Sequence, residues 1–239
     1  MNPKVFLKAE WRNLLMANYA VDPAILKQYV PTGTEIDYWK GNAYVSLVGF
    51  MFRQVRVRGI MVPFHVNFPE VNLRFYVRFK QKNEWKRGVV FINEIVPKPA
   101  ISFIANNFFK EKYITLPMVH QSKNHADGIL EVRYSWRKGK AWNHIAAKAE
   151  SKALPLIKGS KEEFITEHFW GYTRIDEKRT GEYNVSHPRW NIHLVKEFDV
   201  NCSFGKVYGN GFGVLDSIKP SSVFLAEGSA IEVFTKKVL

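Results

Sequence analysis

"HVNFPEVNLRFYVRF", residues 65–79, divides into two unlike sets when read at every second position. Val71, Leu73, Phe75, Val77 and Phe79 make one set; Glu70, Asn72, Arg74, Tyr76 and Arg78 make the other. Such alternation marks a β-strand, because successive side chains on a pleated chain point to opposite sides. The apolar set requires a core. The polar set faces either bulk water or the inside of a pocket, and that choice decides what kind of β protein this is.

The rest of the chain reads mainly as strand. Among 239 residues, 46% are hydrophobic and 18 Phe, 10 Tyr and 7 Trp raise β propensity. Strand patterns run through "NAYVSLVGFMFRQVRVRG" (42–59), "RGVVFINEIV" (87–96), "GILEVRYSWRKG" (128–139), "WNHIAAKAES" (142–151), "WNIHLVKEF" (190–198) and "KVYGNGFGVLD" (206–216). The glycines at 209–213 are read as a twisted or bulged strand, and "SSVFLAEGSAIEVFTKK" (221–237) as a hairpin turning at Glu227, Gly228 and Ser229. Three short helices are expected. Asp22 caps and Pro23 starts one that Pro31 ends; Pro99 opens a second, with Ile101, Ile104, Phe108 and Phe109 on one face; Ser160 and Glu163 have capping-box spacing in the third. No linker or repeat interrupts residues 1–239, which read as one domain. A sheet this long protects its edges by closing or doubling, and closure creates an interior.

The net charge of +13 invites a search for nucleic-acid or membrane partners. Basic residues are scattered and broken by carboxylates, without helix-turn-helix, metal-finger or RNA-recognition patterns, so no nucleic acid is expected. A single cysteine, Cys202, and an N-terminal stretch without an apolar signal core point to the cytoplasm. No apolar run approaches the roughly 18 to 20 residues that span a bilayer, so no membrane partner is expected.

Strong catalytic signatures are missing: no phosphate loop, dinucleotide fingerprint, nucleophile elbow or H-E-x-x-H. The seven histidines contain no i, i+4 pair, and neither metal nor cofactor is expected. Chemistry concentrates on the opening strand. Glu70 and Arg74 share a face with Asn72 between them, able to bind or protonate a small carboxylate or carbonyl compound; Tyr76 and the preceding His65 add polar groups. Beside Arg74, Glu70 is expected to stay ionised and act as a base. The plainer reading of these residues is a solvated strand face.

Together "VPTGTEIDYWKGNAYVSLVGF", "VRVRG", "FPEVNLRFYV", "SKEEFITEHFWGYTR" and "VSHPRW" resemble the YqjF-like bacterial family, a domain of unknown function in the acetoacetate decarboxylase fold superfamily. The resemblance covers nearly the whole chain in order. It implies a closed or cone-like antiparallel β-barrel with a central cavity. Acetoacetate decarboxylase forms a Schiff base through a lysine whose amine must be neutral to attack a carbonyl, and that neutrality rests on desolvation or a neighbouring cation. In the resemblance "FPE" matches the segment of that enzyme's active-site glutamate, implying Glu70, while "FFKEKYITLPM" matches the lysine segment. The register there puts Tyr113 at the nucleophile's place and Ile114 beside it. Lys112 and Lys110 are the nearest amines, and the only adjacent lysine pair in the chain is Lys236 and Lys237.

Three readings follow. The first is a β-barrel that binds a small carboxylate or carbonyl ligand among Glu70, Asn72, Arg74 and Tyr113, with Tyr113 donating a hydrogen bond or moving a proton. The second is a β-keto acid lyase using Lys112 or Lys110, and the third a non-catalytic basic module on an anionic surface. A homo-oligomer is compatible with each.

Overall fold

The structure is a computed structural model that describes residues 4–239, with the side chain of Phe108 outside the described part. The elements in chain order are β1 (Val5–Val21), β2 (Thr34–Ile36), β3 (Ala43–Val57), β4 (Phe68–Gln81), β5 (Glu84–Val96), α1 (Pro99–Phe109), β6 (Tyr113–Thr115), β7 (Met118–Asn124), β8 (Ile129–Lys138) and β9 (Ala141–Leu154). Then come α2 (Lys161–Thr166), β10 (Trp170–Arg174), β11 (Thr180–Ser186), β12 (Ile192–Asn201), α3 (Phe204–Tyr208), β13 (Ser222–Phe234) and β14 (Lys237–Val238).

Pairing runs β11-β10-β5-β4-β3-β1-β13 and returns to β11, which makes a ring. From β13 the same sheet continues through β12, β9, β8 and β7. This extension folds back over the outside of the ring. Val132, Tyr134 and Trp136 of β8 share a core with Val71, Leu73, Phe75 and Val77 of β4 and with α3. Inside the ring a second core gathers Leu14, Met16, Val48, Phe50, Phe68 and Tyr76. Both faces of β4 are therefore covered: the apolar set lies under the extension, and Glu70, Asn72, Arg74 and Tyr76 point inward, at most 9% exposed. Only toward its end does the strand reach water, where Arg78 pairs with Glu35.

Several sequence expectations need correction. Pairing is antiparallel except where β10 and β6 each join β5 in parallel. The segment after Asp22 forms two 3-10 turns, Pro23–Ile25 and Lys27–Tyr29, because two prolines leave too few residues for an α-helix to propagate. The segment read as a glycine-rich strand is instead α3 followed by a 3-10 helix, Asn210–Asp216, with Phe204, Phe212 and Leu215 buried. The predicted final hairpin is a single strand, β13.

Gly228 explains that last difference. It adopts φ +77°, and a Cβ built there would sit 2.0 Å from the Trp11 carbonyl oxygen. Opposite it in β1 stands Arg12, and the next residue, Asn13, is also left-handed, at φ 54°. Both strands bend at one level without losing register, and the bend hands β13 from one neighbour to another. Before it, Leu225 and Ala226 pair with β12; after it, Glu232 and Val233 pair with β11 and close the ring. Turn chemistry is present here, but the strand corners between sheets and does not reverse. Gly228→Ala is expected to cost about 2 kcal/mol or more, from left-handed strain plus the backbone clash, and urea unfolding measures it. An unchanged midpoint would show that the corner does not need glycine.

Candidate functional site

The ring encloses a cavity of about 270 Å³. Most of its wall is apolar and includes Trp11, Phe50, Phe52, Phe91 and Trp190. Along one side α1 acts as a cover, turning Ile101, Ala105 and Phe109 toward the space. Ile104 also borders it while remaining 50% exposed, so the helix is a rim as well as a wall.

Glu70, Asn72 and Arg74 of β4 reach the cavity as consecutive inward positions. Opposite Arg74 the β5 register shifts, Leu73 pairing with Asn93 but Arg74 with Phe91, a bulge of the kind that re-aims side chains beside functional sites. Glu70 Oε1 accepts from Asn72 Nδ2 at 3.0 Å, and Oε2 accepts from the Tyr113 hydroxyl at 3.1 Å. Tyr113 is held by α1: Asn106 donates to its carbonyl and accepts from its backbone N–H, both at 2.7 Å.

Arg74 has few partners. Its Nη2 lies 3.8 Å from Met16 Sδ, its buried Nε has none, and among the described residues no carboxylate forms an ion pair with it. The sequence reading expects Arg74 to keep Glu70 ionised, yet burial outweighs that attraction. Glu70 is pushed up to about 7, mainly by desolvation, with Glu111 adding to it against the lowering effects of Asn72, Tyr113 and Arg74. Glu94, also on the cavity wall, is raised well above the usual carboxylate range by burial and then by Glu70 and Glu111, and its Oε2 has no partner. Burial likewise keeps Tyr113 a neutral phenol and hydrogen-bond donor.

The other predicted positions are placed differently. His65 stands at the rim, its Nδ1 2.8 Å from the Pro63 carbonyl. Tyr76 lies behind the wall, its hydroxyl 2.6 Å from Ser46 Oγ. Lys112 and Lys110 do not line the cavity. Lys112 sits over the Tyr29 ring at 5.4 Å; partial burial and Arg174 lower its pKa, but in the wrong place for a cavity nucleophile. Lys110 is the left-handed residue that ends α1.

The cavity lysine is Lys236, whose neighbourhood sequence spacing does not reveal. Its Nζ donates to the Phe109 carbonyl at 2.6 Å, to Glu111 Oε1 at 2.5 Å and to Thr173 Oγ1 at 3.1 Å. Three acceptors, one a carboxylate, take up its hydrogen-bonding positions. His168 is a second residue the sequence reading leaves unassigned: it borders the cavity and bonds Asp37 Oδ2 through Nε2 at 3.1 Å. Neither has a motif; each arrives from a separate strand or loop. Among the described residues no group of three or more His, Cys, Asp and Glu is arranged to hold a metal, and no helix is long and apolar enough to cross a membrane.

The DUF2071 family, described as an uncharacterized conserved protein, matches residues 8–230. The uncharacterized protein YqjF of Bacillus subtilis (strain 168) is 29% identical over 197 residues, which is 82% of this chain and 78% of that protein. Among solved structures, acetoacetate decarboxylase from Legionella pneumophila superposes with a TM-score of 0.67 at 12% identity, over 98% of this chain and 87% of that one. An acetoacetate decarboxylase-like enzyme from Sphingomonas wittichii RW1 gives 0.67 at 11%, covering 99% and 94%. The enduracididine biosynthesis enzyme MppR complexed with pyruvate gives 0.65 at 12%, covering 100% and 91%. At these identities the likeness establishes the closed, cone-like β fold and leaves the chemistry to the site.

Proposed function

The chain belongs to the DUF2071 family, and from its acetoacetate decarboxylase-like fold and cavity we propose that it binds a small organic acid with an apolar body. The carboxylate sits against Arg74, and the body packs on the aromatic wall. One observation carries this reading: a buried guanidinium without an ion pair among the described residues, in a cavity whose wall is mostly apolar. A buried charge is costly to leave unpaired, so an anionic ligand stabilises the site more than a neutral one. The MppR structure with pyruvate is that of a protein of this fold holding a small keto acid, which supports the ligand class.

Glu70 is suited to proton transfer near neutral pH, with Tyr113 donating to it and Glu94, raised in the same direction by burial, on the same wall. Chemistry at this site is acid–base work on the bound acid or its carbonyl. Imine formation is disfavoured, since the cavity amine is engaged with three acceptors, the Glu111 carboxylate among them, and attack on a carbonyl would have to break those contacts.

Calorimetric titration with 3-phenylpropanoate and its neutral amide tests the reading. The acid is expected to bind and the amide to bind at least about tenfold more weakly, as a charged hydrogen-bonded contact implies. Equal affinity would remove Arg74 from recognition. In parallel, borohydride reduction with pyruvate is expected to leave the protein mass unchanged; a reduced adduct on Lys236 would overturn the acid–base assignment.

A further inference from the structure

The connection between β3 and β4 reads "RGIMVPFHVNF", residues 58–68, and it leaves several apolar side chains in water. Ile60 and Phe64 are 68% and 85% exposed, with Met61 and Val62 about half exposed between them. Phe64 also holds a left-handed backbone, φ 63°, which a bulky side chain adopts only against strain. Its neighbours fix the turn: the His65 N–H donates to the Val62 carbonyl at 3.1 Å, and His65 Nδ1 lies 2.8 Å from the Pro63 carbonyl. The loop is thus tied down in a form that keeps an aromatic ring outside the core.

Helix α1 brings a second apolar group to the same place. Phe103 is 64% exposed, and Ile104 follows it on the rim. Val62 and Ile104 both border the cavity while remaining about half exposed, so the space opens to the surface between loop and helix. The two segments are joined at their base. The Arg58 N–H donates to the Phe6 carbonyl at 2.8 Å, and the Phe6 ring packs 4.4 Å from that of Phe109 at the end of α1.

Charge around this opening has one sign. No Asp or Glu occurs between Asp37 and Glu70 or between Glu94 and Glu111, whereas Arg56, Arg58, Lys98 and Lys110 fall within those spans. None of these four forms an ion pair among the described residues. The patch is small for a protein partner, since stable interfaces engage roughly 20–30 residues a side. It suits a lipid surface, where a few inserted apolar side chains add to the attraction between basic flanks and anionic headgroups.

We infer that the mouth of the cavity docks on an anionic lipid surface. Ile60, Phe64 and Phe103 enter the boundary between headgroups and acyl chains, and the flanking arginines and lysines meet the lipid phosphates. Such a contact lies on the membrane and needs no spanning segment, which is why a search of the sequence for a spanning run does not find it. The inference does not rest on the acid-binding reading, because the side chains that meet lipid are not those that would hold a ligand inside.

Flotation of the full chain, without added ligand, on vesicles of phosphatidylcholine alone and on vesicles with about one-third phosphatidylglycerol tests it. Partition is expected to be at least about tenfold stronger on the anionic vesicles. Ile60→Ser combined with Phe64→Ser should weaken it about tenfold or more and leave the thermal midpoint unchanged, since both side chains already stand in water. Arg58→Glu should also weaken it about tenfold. A chain of net charge +13 can adhere to anionic vesicles through charge alone, so the apolar double variant is decisive. Undiminished partition of that variant would overturn the inference. So would no partition of the wild-type protein, or a wild-type dimer in sedimentation that the double variant dissolves.

Discussion

Arg74→Met should bind 3-phenylpropanoate at least about 30-fold more weakly than the wild-type protein, the lower end of what truncating a buried charged partner costs. The same substitution should leave the thermal midpoint unchanged or raise it. Arg74 is 9% exposed, its Nε is unpaired, and its side-chain bond to Met16 is a weak contact to a thioether. Replacing a buried ion by an apolar side chain of similar length is often neutral or stabilising by about 1–4 kcal/mol. Binding and stability move in opposite directions if the guanidinium is retained for a ligand; they fall together if it holds the fold. Calorimetry and a thermal melt on one variant separate the two, and a large loss of midpoint would sink the functional assignment.

The second large effect concerns pH. Glu70 titrates near 4.5 when solvated and at about 7 in the folded protein. Its folded value is raised, so its favourable contribution is complete below pH 4.5 and is lost as pH climbs to 7. Over that window the loss approaches ~3 kcal/mol, since each tenfold change in proton affinity is worth about 1.4 kcal/mol. Histidines work the other way. His120 and His168 are both lowered to about 4 by burial, so stability falls as pH drops below 6.5 and their unfolded forms take up protons. The wild-type curve should therefore peak in mildly acidic solution and decline on both sides. Subtracting the curve of Glu70→Gln isolates the carboxyl: the variant should gain on the wild type by about 2–3 kcal/mol between pH 5 and pH 8 in urea titrations. Parallel curves would mean that Glu70 is not desolvated. Glu94, raised in the same direction, makes the expected decline steeper at the alkaline end.

Much of this was legible in β4. A period of two shows which side chains share a face, and two residue classes on two faces show that the faces differ. What covers each face is a long-range fact. The apolar side lies under β8, some sixty residues later, and the polar side faces an interior that exists only because β11 meets β13. The resemblance supplied that closure; periodicity supplied the strand. Lys112 illustrates the limit. Its place in sequence beside Tyr113 suggests the cavity, but Tyr113 points inward from β6 and its neighbour points out, as alternation requires. Lys236 enters from the opposite end of the sequence. His168 carries no pattern because its partner, Asp37, is 131 residues away. The error at Gly228 is of another kind: Glu-Gly-Ser has hairpin chemistry, and only the unbroken partner strand β1 shows that the chain bends there and continues.

The pairing of β1 with β13 also governs when the cavity comes into being. Residues 5–21 are made some two hundred residues before their partner, residues 222–234, and the seam between β11 and β13 waits for the same segment. Until about residue 234 has emerged, the nascent chain carries an open trough with Trp11, Phe50, Phe52 and Phe91 on its floor and unpaired strand edges on both sides. Contacts so distant in sequence are slow to form, and exposed edges are sticky while they wait. Arrival of β13 thus turns an aggregation-prone surface into an enclosed cavity, and chaperones attending this chain should be needed until that strand has emerged.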